Sequence, residues 1–340
     1  MSNITNWKKY MSCLLLCLSL ILPLSGWSHS SRSFPAPITD TGFYFDTVVN
    51  LTLYDTVDQE LTGECFSLMA DYETMLSRTR EGSDIWNVNH SNGQPTEVSA
   101  ETAALIETAL KYCELSDGVF DITIAPVMDL WDFHETKAPS LPEEAMLKEA
   151  LSHVNYKKVL LEGTTVTLAD PKAAIDLGGI AKGYIADQLK EFLLSKGVSS
   201  GLIDLGGNIL TIGEKPDGQS WRIGIRKPFG ETAADIIAIA IVDDQSMVTS
   251  GTYERYFEKD GILYHHILNP ENGYPADTGL QSVSILSSSS ADGDALSTVC
   301  FLLGKERGME LIESLDGIEA MFVTEGQHIY QTSGFPRDLP

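Results

Sequence analysis

The run AIDLGGIAKGYIAD, residues 174–187, constrains this chain more than any other stretch. A strand-like start carries Asp176 into Gly178-Gly179, and the spacing that follows predicts an amphipathic helix with Lys182 in its first turn. Glycines at such a junction let a ligand approach the backbone, and a helix start offers unpaired N–H groups and positive potential. Lys182 adds a mobile cation that can reach a phosphate or the polar edge of a nucleotide. The other reading is a plain strand–turn–helix with a surface lysine, and the run alone does not choose between them. Neither GxGxxG nor GxxxxGK[ST] occurs, so neither standard nucleotide-binding fold follows. A partial echo, DLGGN at 204–208, reads more readily as two glycine-ended strands packed side by side.

Around this run the periodicity alternates irregularly between strand and helix. Strands are expected over Phe43–Tyr54, Ile175–Leu177, Gly201–Leu205, Trp221–Ile225, Ile236–Val242 and Ser282–Leu286, with a hairpin in Val159–Ala169 around Glu162-Gly163. Helices are expected over Leu61–Leu76 and Ala100–Leu115, after a loop at Ala138–Pro142, and along a face bearing Ile185, Leu189, Phe192 and Leu193. A final helix is expected to begin near Asp294. No regular βαβ alternation runs through the chain, which favours an α+β class. No Pro/Gly/Ser linker interrupts residues 41–340, so one domain with two lobes is the simplest organisation.

The 340-residue chain starts with Lys8 and Lys9, then an apolar run from Met11 to Leu24, short for a membrane span and suited to a secretory signal. Residues 1–28 are therefore read as a signal peptide and 29–40 as a flexible Ser/Pro lead. Trp27 stands where a lipoprotein would carry its cysteine, so a soluble periplasmic protein is expected; an uncleaved signal would hold it at the inner membrane. Beyond the signal lie Cys65, Cys113 and Cys300, an odd set far apart, which implies no disulfide framework. The formal charge of −25 argues against nucleic acid or an anionic membrane as the main ligand. A phosphate ligand needs a metal or local N–H groups to offset that charge.

Three further stretches could carry chemistry. In ADGDALSTVCFLLG, 291–304, Asp294 and Thr298 stand at i and i+4 on one helix face, where both can turn oxygen toward a hard cation such as Mg²⁺. Asp294 as a simple helix cap is the alternative. SDGVFDITIAP, 116–126, sets Phe120 and Asp121 after Gly118, an aromatic that either stacks on a planar ring or fills core. YHHILNPENGYPADTG, 264–279, places two histidines before a rigid turn; in an extended segment His265 and His266 face opposite sides. SRTREGSDIWNVN, 77–89, reads as an irregular loop over a pocket, closed by Asn87 and Asn89, and VTSGTYERY, 248–256, adds hydroxyls and Arg255.

In this order, SRTREGSDIWNVN, GVFDITIAP, DLGGIAKGY, DLGGN, TSGTYERY, HHILNPENGYP and DALST resemble the ApbE family of periplasmic FAD:protein FMN transferases, from about Thr41 to Leu303. The resemblance implies a T-fold-like α+β core with FAD in a cleft between two lobes. It implies Mg²⁺-dependent transfer of FMN from FAD to a threonine, sometimes serine, hydroxyl of an acceptor protein, with release of AMP. Carried over by position, the metal site would use the Gly179 carbonyl, Asp294 and Thr298. FAD contacts would come from Asp176, Lys182, Val119, Phe120 and Asp121, with Phe45 in a place often held by methionine and Thr79 in one often held by tyrosine. Asn269 replaces an aspartate. The family motif keeps the histidine before Ile-Leu, so His266 is the expected base. Family acceptors are subunits of ion-pumping Nqr-type or Rnf-type complexes or flavocytochrome reductases.

A threonine hydroxyl is a poor nucleophile until its proton is taken, and a neutral imidazole can take it. Two other functions share parts of this site. An FAD diphosphatase would admit water in place of threonine, and a flavin carrier would need neither cation nor base.

Overall fold

Alternation of apolar and polar residues builds the frame. The computed structural model describes residues 36–338 apart from 132, 134–139 and 233. Eight strands form its main sheet: β1 Ile38–Tyr44, β2 Thr47–Leu53, β3 Gly201–Leu205, β4 Asn208–Ile212, β5 Ser246–Gly251, β6 Leu280–Ser287, β7 Glu319–Thr324 and β8 Ile329–Gln331. Their order in space is their order in the chain, and every pair is antiparallel.

Successive residues along a strand face opposite ways, so the sheet has two apolar faces. Val49, Leu51, Ile203, Leu205, Leu210 and Ile212 pack toward helices. Leu202, Ile209, Met247, Leu286, Met321 and Val323 pack toward a second, three-stranded sheet built from Trp221–Arg226, Ile236–Val242 and Arg337–Asp338.

The helices are α1 Leu61–Leu76, α2 Asp84–Asn89, α3 Ala100–Leu115, α4 Ala125–Met128, α5 Glu144–Leu151, α6 Ala181–Ser195 and α7 Ser290–Glu313. α7 is two helices in succession, because Gly304 sits at φ 78° and ψ 172° inside it. A small sheet of Thr96–Glu97, Val159–Glu162 and Thr165–Leu168 lies with α2–α5 in the long connection between β2 and β3. Among the described residues, no helix is long and apolar enough to cross a membrane. The expected signal at 1–28 lies outside the described residues.

α1, α3, β3 and the Ile236–Val242 strand have the boundaries that periodicity predicts. Four expectations change. The strand foreseen over Phe43–Tyr54 is broken by a two-residue turn, with Phe45 and Asp46 at φ 55° and 58°, between paired Tyr44 and Thr47. Ile38–Asp40, assigned to the flexible lead by composition, already belong to β1. Ile175–Leu177 form no strand; the segment makes only an isolated parallel bridge, Ala174 to Ile124. The last helix starts at Ser290 with Ser289 as its cap, one turn before Asp294.

Candidate active site

Three connections leave the main sheet and bring the motifs together. In the first, 174–176 runs beside 122–124: Asp176 donates its N–H to the Ile122 carbonyl at 2.7 Å. Asn89 clamps the same segment from the other side. Its carboxamide accepts from the Ile175 N–H at 2.7 Å and donates to the Ile175 carbonyl at 2.9 Å. The stretch 77–89 is thus not an irregular cover: residues 84–89 are helical, capped by Ser83, which accepts from Trp86 N–H at 2.9 Å.

Asp176 then folds the turn. Its Oδ1 accepts from Gly178 N–H at 2.7 Å and its Oδ2 meets Arg78 Nε at 2.7 Å. Arg78 also binds Asp129. Burial works against the charge on Arg78, and Asp176 and Asp129 more than offset it, so the guanidinium pKa is raised. Gly179 follows with no room for a side chain: a Cβ there would lie 2.9 Å from Phe120 Cε2 and 3.8 Å from Thr298 Oγ1. Gly179, Phe120 and Thr298 are therefore neighbours.

The second part is a pair of helix starts. α6 has Ile180 at its N-cap and no side-chain cap of its own. Asp294 supplies one from α7, its Oδ2 accepting from Gly183 N–H at 2.9 Å. Asp187 of α6 returns the bond, accepting from Ser290 N–H at 2.8 Å, Ala291 N–H at 2.9 Å and Ser289 Oγ at 3.0 Å. The two positive helix ends are drawn together by one carboxylate each. Asp294 is 3 % exposed, and its other oxygen lies 3.7 Å from Lys182 Nζ. One turn on, Thr298 Oγ1 lies 3.3 Å from Ser250 Oγ, which in turn bonds Ser297 Oγ at 2.7 Å.

The third part is the histidine turn. His265 is 5 % exposed and uses both ring nitrogens: Nε2 donates to the Ala276 carbonyl at 3.2 Å, and Nδ1 accepts from Ile267 N–H at 3.3 Å. Its ring meets Phe301 edge-on, centroids 5.6 Å apart. His266 is half-buried. Its N–H and Nδ1–H both donate to the Arg255 carbonyl, at 3.1 and 3.3 Å. A carbonyl can only accept, so Nδ1 carries the proton and Nε2 the lone pair. Among the described residues Nε2 has no hydrogen-bond partner. Burial first, then the positive charge of Arg255, push the His266 pKa down to about 3; Lys182 adds a smaller push in the same direction. The ring is neutral at physiological pH.

Other expected site residues sit differently. Asp121 is spent within the fold, accepting from Thr123 N–H and Oγ1 at 2.8 and 2.6 Å and from Tyr156 N–H at 2.9 Å. Phe120 is 7 % exposed, in the core beside Gly179, and Val119 next to it is half-buried. Phe45 lies at the tip of the β1–β2 turn, its N–H donating to Glu73 at 2.7 Å. Thr79 is exposed and bonds Ser77. Among the described residues, neither Phe45 nor Thr79 is tied by a hydrogen bond, ion pair or ring contact to the Gly179–Asp294–His266 group.

The echo DLGGN is a hairpin turn between β3 and β4. Gly206 and Gly207 have φ 66° and 93°, and Asp204 accepts from Gly207 N–H at 2.8 Å. Residues that sequence reasoning left without a role are Arg78, Asp129, Asp187 and Glu254. Loss of solvation raises the Glu254 carboxyl, with Lys182 opposing this and Asp294 reinforcing it. Only Asp187, four residues after Gly183 in the glycine-rich run, had a local signal.

The oxygens of Asp294, Thr298 and Gly179 suit a small hard cation, since Mg²⁺ takes few protein oxygens and completes its shell with water and phosphate. With the cationic Lys182 and a neutral imidazole, this α+β protein presents the groups that a phosphorylated substrate and a nucleophile require. The ApbE family pattern matches residues 45–322, and the chain belongs to that family. An FAD:protein FMN transferase of Klebsiella pneumoniae (strain 342) is 40% identical over 281 residues, 81% of this chain and 86% of that one. One from Treponema pallidum (strain Nichols) is 37% identical over 287 residues, 80% of this chain and 79% of that one. The crystal structure of the ApbE protein of Thermotoga maritima superposes with a TM-score of 0.82 at 32% identity, covering 89% of this chain and all of the other.

Proposed function

We propose that this chain transfers FMN from FAD to a threonine or serine hydroxyl of an acceptor protein and releases AMP. The observation that carries the reading is the tautomer of His266, fixed by the Arg255 carbonyl so that Nε2 is free to take a proton. The acceptor hydroxyl attacks the phosphorus on the FMN side of the diphosphate. Its proton passes to His266 Nε2, a P–O bond forms, and the P–O bond to the adenylate breaks. Beyond burial, the positive charges of Arg255 and Lys182 lower the His266 pKa, and a bound diphosphate would counter them. General-base assistance from an imidazole whose pKa is restored toward neutrality contributes roughly 10²- to 10⁴-fold.

Asp294, Thr298 and the Gly179 carbonyl would hold Mg²⁺, which when bound offsets charge on the diphosphate and on the departing AMP. Lys182 supplies a second, protein-borne positive charge for the same oxygens. The N-terminal apolar run and the family's periplasmic members support export, and the acceptor is a membrane electron-transfer subunit by the same analogy.

The test is incubation of the purified protein with FAD, Mg²⁺ and a threonine-bearing acceptor. A flavin-labelled acceptor with one AMP per label supports transfer. Free FMN plus AMP in place of label points to a diphosphatase, and unchanged FAD points to a carrier.

A further inference from the structure

Arg78 ties the turn that presents Gly179 to the end of α4 through two carboxylates. It leaves the end of α1, where Ser77 Oγ accepts from Thr79 N–H at 3.3 Å and Arg80 N–H at 3.2 Å and Ser83 bonds the Ser77 carbonyl. The loop that carries it is therefore pinned. One arm of the guanidinium takes Asp176 Oδ2, and with Gly178 N–H on Oδ1 this carboxylate has both oxygens engaged inside the fold. Asp176 thus shapes the turn that presents Gly179.

The other arm takes Asp129, which closes α4. Two residues on, buried Trp131 donates Nε1–H to the Gly273 carbonyl at 2.9 Å. Gly273 is also held tightly. It donates to the Asn269 carbonyl at 2.7 Å, its φ is 74°, and a Cβ there would fall 2.6 Å from Leu147. The turn pairs back onto the histidine strand through Ala276 N–H to the Ile267 carbonyl at 2.9 Å and a bridge between Leu268 and Pro275. His266 is the residue before Ile267. The path from Gly179 to His266 therefore runs Asp176, Arg78, Asp129, Trp131, Gly273, and each link is a short polar contact or a short rigid stretch of chain.

We propose that Arg78 is a positioning residue that sets the separation between the Gly179–Asp294 side of the site and the His266 side. The inference rests on the flavin-transfer reading. A guanidinium is required because its planar fork spans two carboxylates in fixed directions, whereas an ammonium is a single point on a flexible stem. Transfer between a bound diphosphate and an incoming hydroxyl depends on that separation, and a misplacement near 1 Å can cost about 10²-fold.

The experiment uses the full chain with R78K, R78A and D129N. Thermal midpoint, FAD affinity by flavin fluorescence, amide exchange at Gly178 without metal, and kcat and KM for the acceptor are measured in parallel. R78K is expected to stay folded and bind FAD within about threefold of wild type, while kcat falls roughly 10- to 100-fold with acceptor KM little changed. Gly178 exchange rises in R78K, D129N shifts kcat in the same direction, and guanidinium ion restores R78A where ammonium at equal ionic strength does not.

Wild-type kcat in both R78K and D129N, or a fall that only follows the folded fraction, overturns the proposal and leaves the flavin-transfer reading standing. A wild-type protein that labels no acceptor sinks that reading, and this inference with it. Should R78K fail to fold, D129N decides alone: its carboxylate is largely exposed and its loss removes just one arm of the fork.

Discussion

Gly183 donates its N–H to Asp294 Oδ2 at 2.9 Å, so this carboxylate caps a helix other than its own. Asp187 does the reverse for α7. The pair fixes where the oxygens of Asp294 and Thr298 stand relative to Lys182, and Asp294 Oδ1, 3.7 Å from Lys182 Nζ, takes no part in the cap. Capping uses one oxygen of the side chain and the proposed metal binding would use the other, so the two can be separated by mutation.

In Asp294→Asn a carbonyl oxygen remains for Gly183 and the charge is lost. Its melting temperature is expected near wild type, with transfer reduced by on the order of 10²-fold or more. Asp294→Ala loses the cap as well and gives up a further 0.5–2 kcal/mol or so of stability. Melting curves and Mg²⁺ titrations of both variants check this; equal melting temperatures would show that the cap contributes nothing.

Gly183→Ala tests how closely the helices cross. A Cβ at 183 would stand 2.1 Å from the Ser290 carbonyl oxygen, which is backbone and cannot rotate away. Overpacking of this kind costs about 1–3 kcal/mol, read as a lowered urea midpoint with an unchanged slope. A midpoint equal to wild type means the two helix starts part freely.

The adjacent histidines should separate cleanly. His265→Ala removes a buried ring with two hydrogen bonds and an aromatic contact, and is expected to lower stability by about 2–4 kcal/mol. His266→Ala should melt near wild type, bind FAD, and transfer FMN roughly 10²- to 10⁴-fold more slowly. The reverse assignment of losses would exchange their roles.

Acid should destabilise the fold through the same two rings. Burial, the largest cause in both, lowers the His265 pKa from 6.5 to about 4 and that of His266 to about 3. Between these values and 6.5 the unfolded chain binds more protons than the native one, so stability is fully present above 6.5 and lost as pH falls. Each fully shifted histidine contributes a slope on the order of 1 kcal/mol per pH unit across its window. Urea melts from pH 7 to 4 measure it, and His265→Gln should flatten the curve; a curve that stays as steep in that variant removes His265 from the account.

The motifs were legible because local pattern and local structure agree there. α1 and α3 have clean apolar spacing, and their ends fall where it stops. The start of α7 was missed because SSSSADGD offers several competing caps, and the choice of Ser289 depends on Asp187, a hundred residues earlier. The β1–β2 turn was missed because Phe45-Asp46 carries neither Gly nor Asn, yet both residues take positive φ. Arg78 could not be read at all: nothing within its neighbourhood in the chain indicates Asp129 or Asp176, and only the fold brings the three together.

Gly304 gives α7 a joint. Upstream of it lie Asp294 and Thr298, the proposed cation ligands; downstream, Ile312 packs against the sheet near its far edge. Leu296, Cys300 and Phe301 before the joint and Ile312 after it nevertheless pack in one cluster, so repacking around the distal rod bears directly on the rod that carries Thr298.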